Sequence, residues 1–556
     1  MQRIAIVFTF AVAAGMPLTA QDSPSTFDQI VDRAILQESS LLRILRGDHP
    51  IAETYIQDLG PDADFGSAPK ADHYFLGKLD FTRGVTTDSF LPKGSAHSLE
   101  AFTHLFGAAY VPRGFAQTLI IDGAEFDRAH YDFAFDKREF LGDVRTYAID
   151  VSPKKTAGRG RFMGRIWVED KKFNIVRFNG TYVDAQFGQV YTHFDSWRVN
   201  CGPDLWVPFE TYSEESALKY DLKLRQLRFK AVTRIWGYTT ATDRLNGEFT
   251  NITVDLPGVQ DKTEQAADNS PVESQRAWER QGEDNVLDRL ENANLLAPRG
   301  AVEKILDTVV NNLIVTNDLN VPGVRVRVML TTPLETFTVG RTIVISRGLV
   351  DTLPDEASLA AMLAHELAHI ALGQVIDTKF AFSDRLHFDD DALLKKFRFA
   401  RPAAEEDAAN AQAVAYLQKS PYADKLREPG LFLKALAAEA DRLPNLIKPL
   451  FGSPFAQGNN ILRLGALLQD APQLQRTRTD QIAALPLGAR TTLDPWTDQM
   501  RMARTRSVPL LSGREKMPLE LTPVFLNLKY QGATAAEQIA SSEETKPGET
   551  KPAATQ

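Results

Sequence analysis

His365 and His369 stand four residues apart in LAAMLAHELAHIALGQ, residues 359–374, with Glu366 beside the first. On a helix, side chains at i and i+4 project from one face about a turn apart, so the two imidazoles can share one tetrahedral zinc ion. Glu366, rotated by about 100°, reaches a water beside the metal rather than the metal itself, which suits a general base. The rest of the stretch is apolar, and a helix that is apolar all round is a buried one. Burying an unpartnered imidazole or carboxylate costs several kcal/mol. A metal ion offsets that cost, so the residues point to one zinc per chain and metal-assisted hydrolysis.

Two histidines leave a protein ligand to be found. A third histidine six residues on is excluded, because position 375 is Val375 and position 372 is Leu372 rather than glycine. Asp389, in HFDDDALL, lies at a spacing that some zinc peptidases use, but that acidic cluster also reads as the start of a surface helix. Glu406 is the better candidate. In ARPAAEEDAANAQAVAYL, Pro402 opens a helix that places Glu406, Asn410 and Ala413 on one side, and Ala408 and Ala409 permit close helix approach. A glutamate in an ordinary acidic first turn would look the same.

The elements around these residues read as α/β. Val302, Ile305, Leu306, Val309, Val310, Leu313 and Ile314 form the stripe of a core-facing helix. VRVRVML (324–330) alternates Val inward and Arg outward, and TIVIS (342–346) reads as a more buried strand closed by Gly348. PDEAS then opens the histidine helix, with Pro354 at its first position and Asp355 and Glu356 near the positive end of its dipole.

With IVISRGLVDTLPDEASLAAMLAHELAHIALG and EDAAN together, residues 300–420 resemble the zinc metallopeptidases that include HtpX and the CAAX prenyl endopeptidases. In that family the third ligand is the Glu of an E-x-x-A-D helix. The resemblance therefore implies a zincin-type endopeptidase domain with His365, His369 and Glu406 as ligands, Glu366 as catalytic base and Asn410 in the supporting Asp place. It also implies that the strand in TPLETFTVGRTIVIS, with Thr338, Val339 and Gly340, borders the cleft and offers its edge to an extended polypeptide substrate. Three departures stand out. Gln374 replaces a frequent histidine, Asn410 replaces an acid, and no histidine follows His387, so a family histidine that helps stabilise the tetrahedral intermediate is missing. Arg490 and Tyr416 are candidates to stand in, although each also reads as an ordinary surface or core residue.

Ahead of this unit, residues 21–70 read as a helical lead, broken at HPIAETYIQDLGPD, and 71–256 as an antiparallel sheet domain of short aromatic and β-branched strands. GRFMGRIWVEDKKFNIVRFNG and HFDSWRVNCGPDLWVPFE loosely resemble strand–turn–strand units of the LolA-like half-barrel, which implies a surface for a lipid, a lipoprotein or a polypeptide. Residues 257–298 are polar and read as a linker, 299–530 as the peptidase domain and 531–556 as a disordered tail. The expected architecture is thus multidomain α+β. The loop Asp377–Ala400, with Phe380, Phe382, Phe388, Phe397 and Phe399 among charges, reads either as a lid or as core.

A chain of 556 residues exceeds what one core can fill. Its 63 basic and 72 acidic residues include no basic block that could track a phosphate backbone, which argues against nucleic acid as a partner. MQRIAIVFTFAVAAGMPLTAQDS has the form of a secretory signal cleaved after Ala20, and the apolar run is too short for a membrane anchor. A periplasmic or secreted location follows. Cys201 is the only cysteine, so no intrachain disulfide can form and the residue reads as a small apolar filler. The expected function is a zinc endopeptidase acting on unfolded or envelope proteins. The alternatives are a catalytically weak, zinc-stabilised chaperone or scaffold, and a lipid or lipoprotein binder working through the sheet domain.

Overall fold

The computed structural model describes most of residues 26–82, 112–239, 271–374 and 394–475, with the short pieces 86–89, 491–493 and 500–502 and the residues Leu528 and Tyr530. Helix α1 (Phe27–Leu45) starts where Thr26 accepts the Gln29 N–H, at 3.4 Å, and buries Ile30, Val31, Ala34, Leu41 and Leu45 along one stripe. Ten strands follow in one antiparallel sheet: β1 (Ile51–Asp62), β2 (Gly66–Asp80), β3 (Thr86–Ser89), β4 (Tyr131–Leu141), β5 (Val144–Pro153), β6 (Arg159–Glu169), β7 (Ile175–Asp184), β8 (Gln189–Gly202), β9 (Leu205–Tyr220) and β10 (Arg225–Trp236). Their order is β3-β2-β1-β10-β9-β8-β7-β6-β5-β4, an open sheet in which the β4–β10 meander is joined to β1 and β2 by pairing β10 with β1.

HPIAETYIQDLGPD therefore contains a strand, and the sheet begins at Ile51 rather than at residue 71. Its turn-like Pro and Gly mask an alternation in which both faces are covered: Ile51, Glu53 and Tyr55 are buried, and so are Ala52, Thr54 and Ile56. Successive residues of a strand face opposite ways. Ile149, Ile166 and Phe178 thus join the α1 stripe on one side of the sheet. On the other side the paired residues run Ala148, Trp167, Arg177, Trp197, Glu210, Arg234, Glu53 and Leu76 across β5 to β2. Glu38 is the exception in the α1 stripe. Its carboxylate is gripped by Arg198 through Nη1 and Nη2 at 2.6 and 2.8 Å, so the buried charge is paired.

The second unit comprises helices α2 (Pro271–Asn292), α3 (Ala301–Thr316), α4 (Glu356–Ala371), α5 (Ala403–Gln418) and α6 (Arg427–Glu439) around a three-stranded sheet of β11 (Arg325–Met329), β13 (Thr342–Ser346) and β12 (Thr336–Val339), in that order. β11 and β13 are parallel, whereas β12 is antiparallel to β13 and forms an edge. The polar 257–298 stretch is not all linker: α2 carries Val286, Leu287 and Leu290 into the core, joined by Leu295 and Leu296. Arg327 does not point outward from β11. It is buried, and Nη2 donates to Glu291 Oε1 at 3.2 Å and to Ala297 O at 3.1 Å. Asp355, not Pro354, begins the histidine helix: its Oδ1 accepts the Ser358 N–H at 2.7 Å as the N-cap. Gly348 closes the turn after β13, where an added Cβ would lie 1.7 Å from Thr332 O. No helix of the described residues is long and apolar enough to cross a membrane.

Candidate metal centre

Helix α4 is buried almost throughout, and His365, Glu366 and His369 are at most 1% exposed. Ala409 and Ala413 on α5 are fully buried, small enough to let α5 approach and set Glu406 opposite the histidines. The His365 and His369 rings stand nearly perpendicular, at 87°, with their Nε2 atoms 3.2 Å apart. Glu406 Oε2 is 3.0 Å from His365 Nε2, and Oε1 is 4.0 Å from His369 Nε2. One ligand atom from each residue lies within 4.8 Å of the other two. Two ligands bonded at about 2.0–2.1 Å at a tetrahedral angle stand about 3.3 Å apart. The two Nε2 atoms match that spacing, and the N,N,O donor set is one zinc accepts, so the residues fit the metal.

The surroundings prepare these groups. Gln374 Oε1 accepts from His369 Nδ1, which fixes the proton there and leaves Nε2 with its lone pair toward the site. Burial pushes the His365 imidazole down from its ordinary value, against the Glu406 contact, and so favours the neutral, ligating form. For Glu406, burial alone would raise the carboxyl. The His365 hydrogen bond and the Arg463 charge outweigh it and hold the group well below the usual carboxylate range. Glu366 follows the same logic: burial raises it, but Arg463, the two histidines and Thr336 together keep it low and ionised.

Arg463 is the group that sequence reasoning missed. Its side chain is 3% exposed, Nη1 donates to Glu366 Oε1 at 3.0 Å and to Thr336 Oγ1 at 2.8 Å, and Nη2 donates to Glu406 Oε1 at 3.3 Å. Thr336 Oγ1 donates to Glu366 Oε1 at 2.7 Å, so one carboxylate oxygen is fully engaged while Oε2 is buried without a protein partner. Asn410 holds the turn that delivers the arginine. Its Nδ2 donates to Leu462 O at 3.0 Å and its Oδ1 accepts Leu464 N–H at 2.7 Å, with Leu464 at a φ of 56°. An amide can do both tasks, whereas an ionised Asp can only accept. The available signal was an arginine inside the apolar run ILRLGALL.

Tyr416 is not brought to this cluster. It lies nearly three turns along α5 from Glu406, its hydroxyl bonds Gln412, and its backbone oxygen accepts Asn317 Nδ2 at 3.1 Å. Arg490, Asp389, Phe380, Phe382 and Phe388 lie outside the described residues. Phe397 and Phe399 are core: Phe399 stacks on Phe337 at 4.6 Å, and Phe451 O accepts the Phe399 N–H at 2.8 Å. Thr338 and Val339 lie on edge strand β12, and Gly340, at a φ of 56°, turns the chain into β13. Ser346 N–H bonds Glu335 O at 3.0 Å, so by antiparallel alternation the main-chain groups of Thr336 and Thr338 face away from β13.

Residues 301–387 match the model of Peptidase family M48, which covers His365, Glu366 and His369 and stops short of Glu406 and Arg463. No curated protein matches the chain. Among solved structures, a LolA superfamily protein from Nitrosomonas europaea is similar at 15% identity, covering 39% of this chain and 94% of that one, with a TM-score of 0.21. A DUF1329 family protein from Desulfovibrio piger is similar at 11% identity, covering 38% and 92%, with a TM-score of 0.20. At these TM-scores the likeness carries no functional weight.

Proposed function

We propose that the chain is a zinc-dependent endopeptidase, held by one ion on His365, His369 and Glu406. The observation behind this reading is the convergence of those three donors beside a buried, ionised Glu366. Zinc, when bound, supplies Lewis acidity toward the scissile carbonyl and makes a neighbouring water easier to deprotonate. Glu366 accepts the proton of the attacking water on its unpartnered Oε2, then returns it to the departing amine. Thr336 and Arg463 hold the other carboxylate oxygen, so the base keeps one orientation through both transfers. Arg463 adds a positive charge that ties Glu366 to Glu406.

An extended polypeptide is the substrate class this reading implies, and β12, whose residues Thr336–Val339 are at most 1% exposed and whose Thr336 carbonyl accepts from Arg463 Nη1 at 3.3 Å, is a covered wall of the site rather than an open edge. Selection then depends on unfolded, accessible backbone, and the secretory pattern of the first 20 residues directs the activity to secreted or envelope proteins. Casein and an unfolded outer-membrane protein, each incubated with zinc-loaded wild type and with Glu366→Gln, test this. Cleavage by wild type alone, with about one zinc in both proteins, is expected. Equal substrate survival in both tubes overturns the enzyme reading and leaves a zinc-stabilised scaffold.

A further inference from the structure

The face of the ten-stranded sheet opposite α1 is divided. Toward β1 and β2 it meets the second unit, where Ile51, Tyr55, Tyr74 and Leu76 enter the same core as α4. Toward β5–β9 it carries Trp167, Trp197 and Trp206, each at most 2% exposed, with Leu141 and Val144. The wall is rigid and polar underneath. Arg177 lies 4.2 and 4.5 Å from the Trp167 and Trp197 rings and is held by Asp195 through two bonds of 2.9 and 3.0 Å. Two residues from the far end of the chain join this cluster, Leu528 and Tyr530, the latter against Trp206.

Their seating has three separate parts. Leu528 O accepts the Asp143 N–H at 3.1 Å, in the turn between β4 and β5, while its side chain is 2% exposed in the tryptophan cluster. The Tyr530 ring meets Trp206 edge-on at 5.7 Å, with Lys171 Nζ 3.9 Å over its face. Its hydroxyl donates to Glu169 Oε2 at 3.1 Å, and Glu169 is fully buried by the N–H groups of Lys171, Lys172 and Asn174. A main-chain hydrogen bond, an apolar slot and a tyrosine socket are contacts by which a fold reads a peptide.

We propose that this patch is a peptide-recognition groove for a segment with an apolar residue followed two positions later by tyrosine, and that Leu528 and Tyr530 are its resident ligand in cis. Any polypeptide of that pattern must compete with the chain's own segment, which holds the groove until a stronger or more concentrated ligand arrives. The groove is separate from the metal centre and does not depend on the peptidase reading.

The test uses full-length protein and a fluorescein-labelled peptide of the sequence 524–533. Wild type, with its groove filled, should bind the peptide at least about tenfold more weakly than the double variant Leu528→Ser/Tyr530→Ser, because a tethered competitor acts at an effective concentration on the order of mM. A peptide with Ser in place of its tyrosine should not bind, and Trp206→Ala added to the double variant should abolish binding. Equal affinity for wild type and double variant, or no saturable binding to either, overturns the proposal. Should the double variant lose its cooperative melt, Tyr530→Phe decides. It keeps the ring and loses only the hydroxyl's bonds to Glu169 and Asp170, so intermediate peptide binding is expected and wild-type exclusion overturns the groove.

Discussion

Replacing Arg463 with methionine keeps a long side chain against Phe455, whose ring lies 5.2 Å from the guanidinium, and removes the charge shared by Glu366 and Glu406. Both carboxylates then lose the guanidinium that is bonded to them, and Thr336 loses donors to its hydroxyl and its carbonyl. Removing one partner of a buried ion pair costs about 3–5 kcal/mol. For a unit of this size that corresponds to a melting shift of roughly 6–20 °C. Bound zinc adds positive charge beside Glu406, so the shift should be largest in chelator and smaller after reloading. Calorimetry of wild type and Arg463→Met, with and without one equivalent of zinc, measures both. Cleavage should fall about 10²–10³-fold in kcat with zinc content kept, the usual loss when a preorganised charge is removed. Melting within about 2 °C of wild type in chelator, a change below about 1 kcal/mol, refutes the account of Arg463 as the neutralising group.

Gln374→Leu leaves His369 Nδ1 without its acceptor and should lower zinc affinity about 10- to 100-fold, read by competition with a chelating dye. Asn410→Asp sets a carboxylate oxygen against Leu462 O and should cost about 1–3 kcal/mol, seen as a lower urea midpoint. Glu335, whose Oε2 accepts the N–H groups of Phe451 and Gly452 at 2.9 and 3.1 Å, is pushed up by burial from 4.5 to about 7. The folded chain then binds more protons than the unfolded one between those values. Its contribution is full below about 4.5 and is lost as pH rises through about 7, some 3 kcal/mol in all. Glu335→Gln should remove that slope from a plot of stability against pH, and an unchanged slope would show that the carboxyl is not the group responsible.

That His365 and His369 share one helix face was readable from their spacing alone, and the sheet was readable because strand alternation is local. Other features depended on contacts between distant residues. Arg463 meets Glu366 across 97 positions of sequence, and no periodicity in NNILRLG announces it. Asn410 looked like a lost acid until Leu462 and Leu464 showed that the position needs both a donor and an acceptor. Polar α2 looked like linker because the polar sequence of its first half dilutes the apolar face that carries Val286, Leu287 and Leu290 into the core. Arg327 looked exposed because arginine usually is, and Glu291 with Ala297 O makes its burial tolerable.

Glu53 shows why the sheet cannot be regarded as an appendage to the metal centre. It is 1% exposed on β1, and its carboxylate accepts Thr332 N–H at 2.6 Å, Thr332 Oγ1 at 2.7 Å and Tyr74 OH at 2.8 Å. Burial raises its pKa, and Arg234 opposes that rise most strongly among the surrounding groups. Asp72 on β2 does the same for a second segment, accepting Asn445 N–H at 3.0 Å and Leu446 N–H at 2.8 Å. Leu446 O in turn accepts Leu334 N–H at 2.8 Å. Residues 332–336 end at Thr336, which bonds Glu366, and residues 445–453 lead to Phe451 and Gly452, which Glu335 caps. Both segments that shape the site thus take buried hydrogen bonds from the sheet. Without it, those amides would be left unsatisfied in an apolar seam, at about 1–3 kcal/mol each. The sheet is therefore part of what sets the position of Thr336 against Glu366, and a peptidase unit cut away from it would keep its ligand helices while losing the support of its cleft wall.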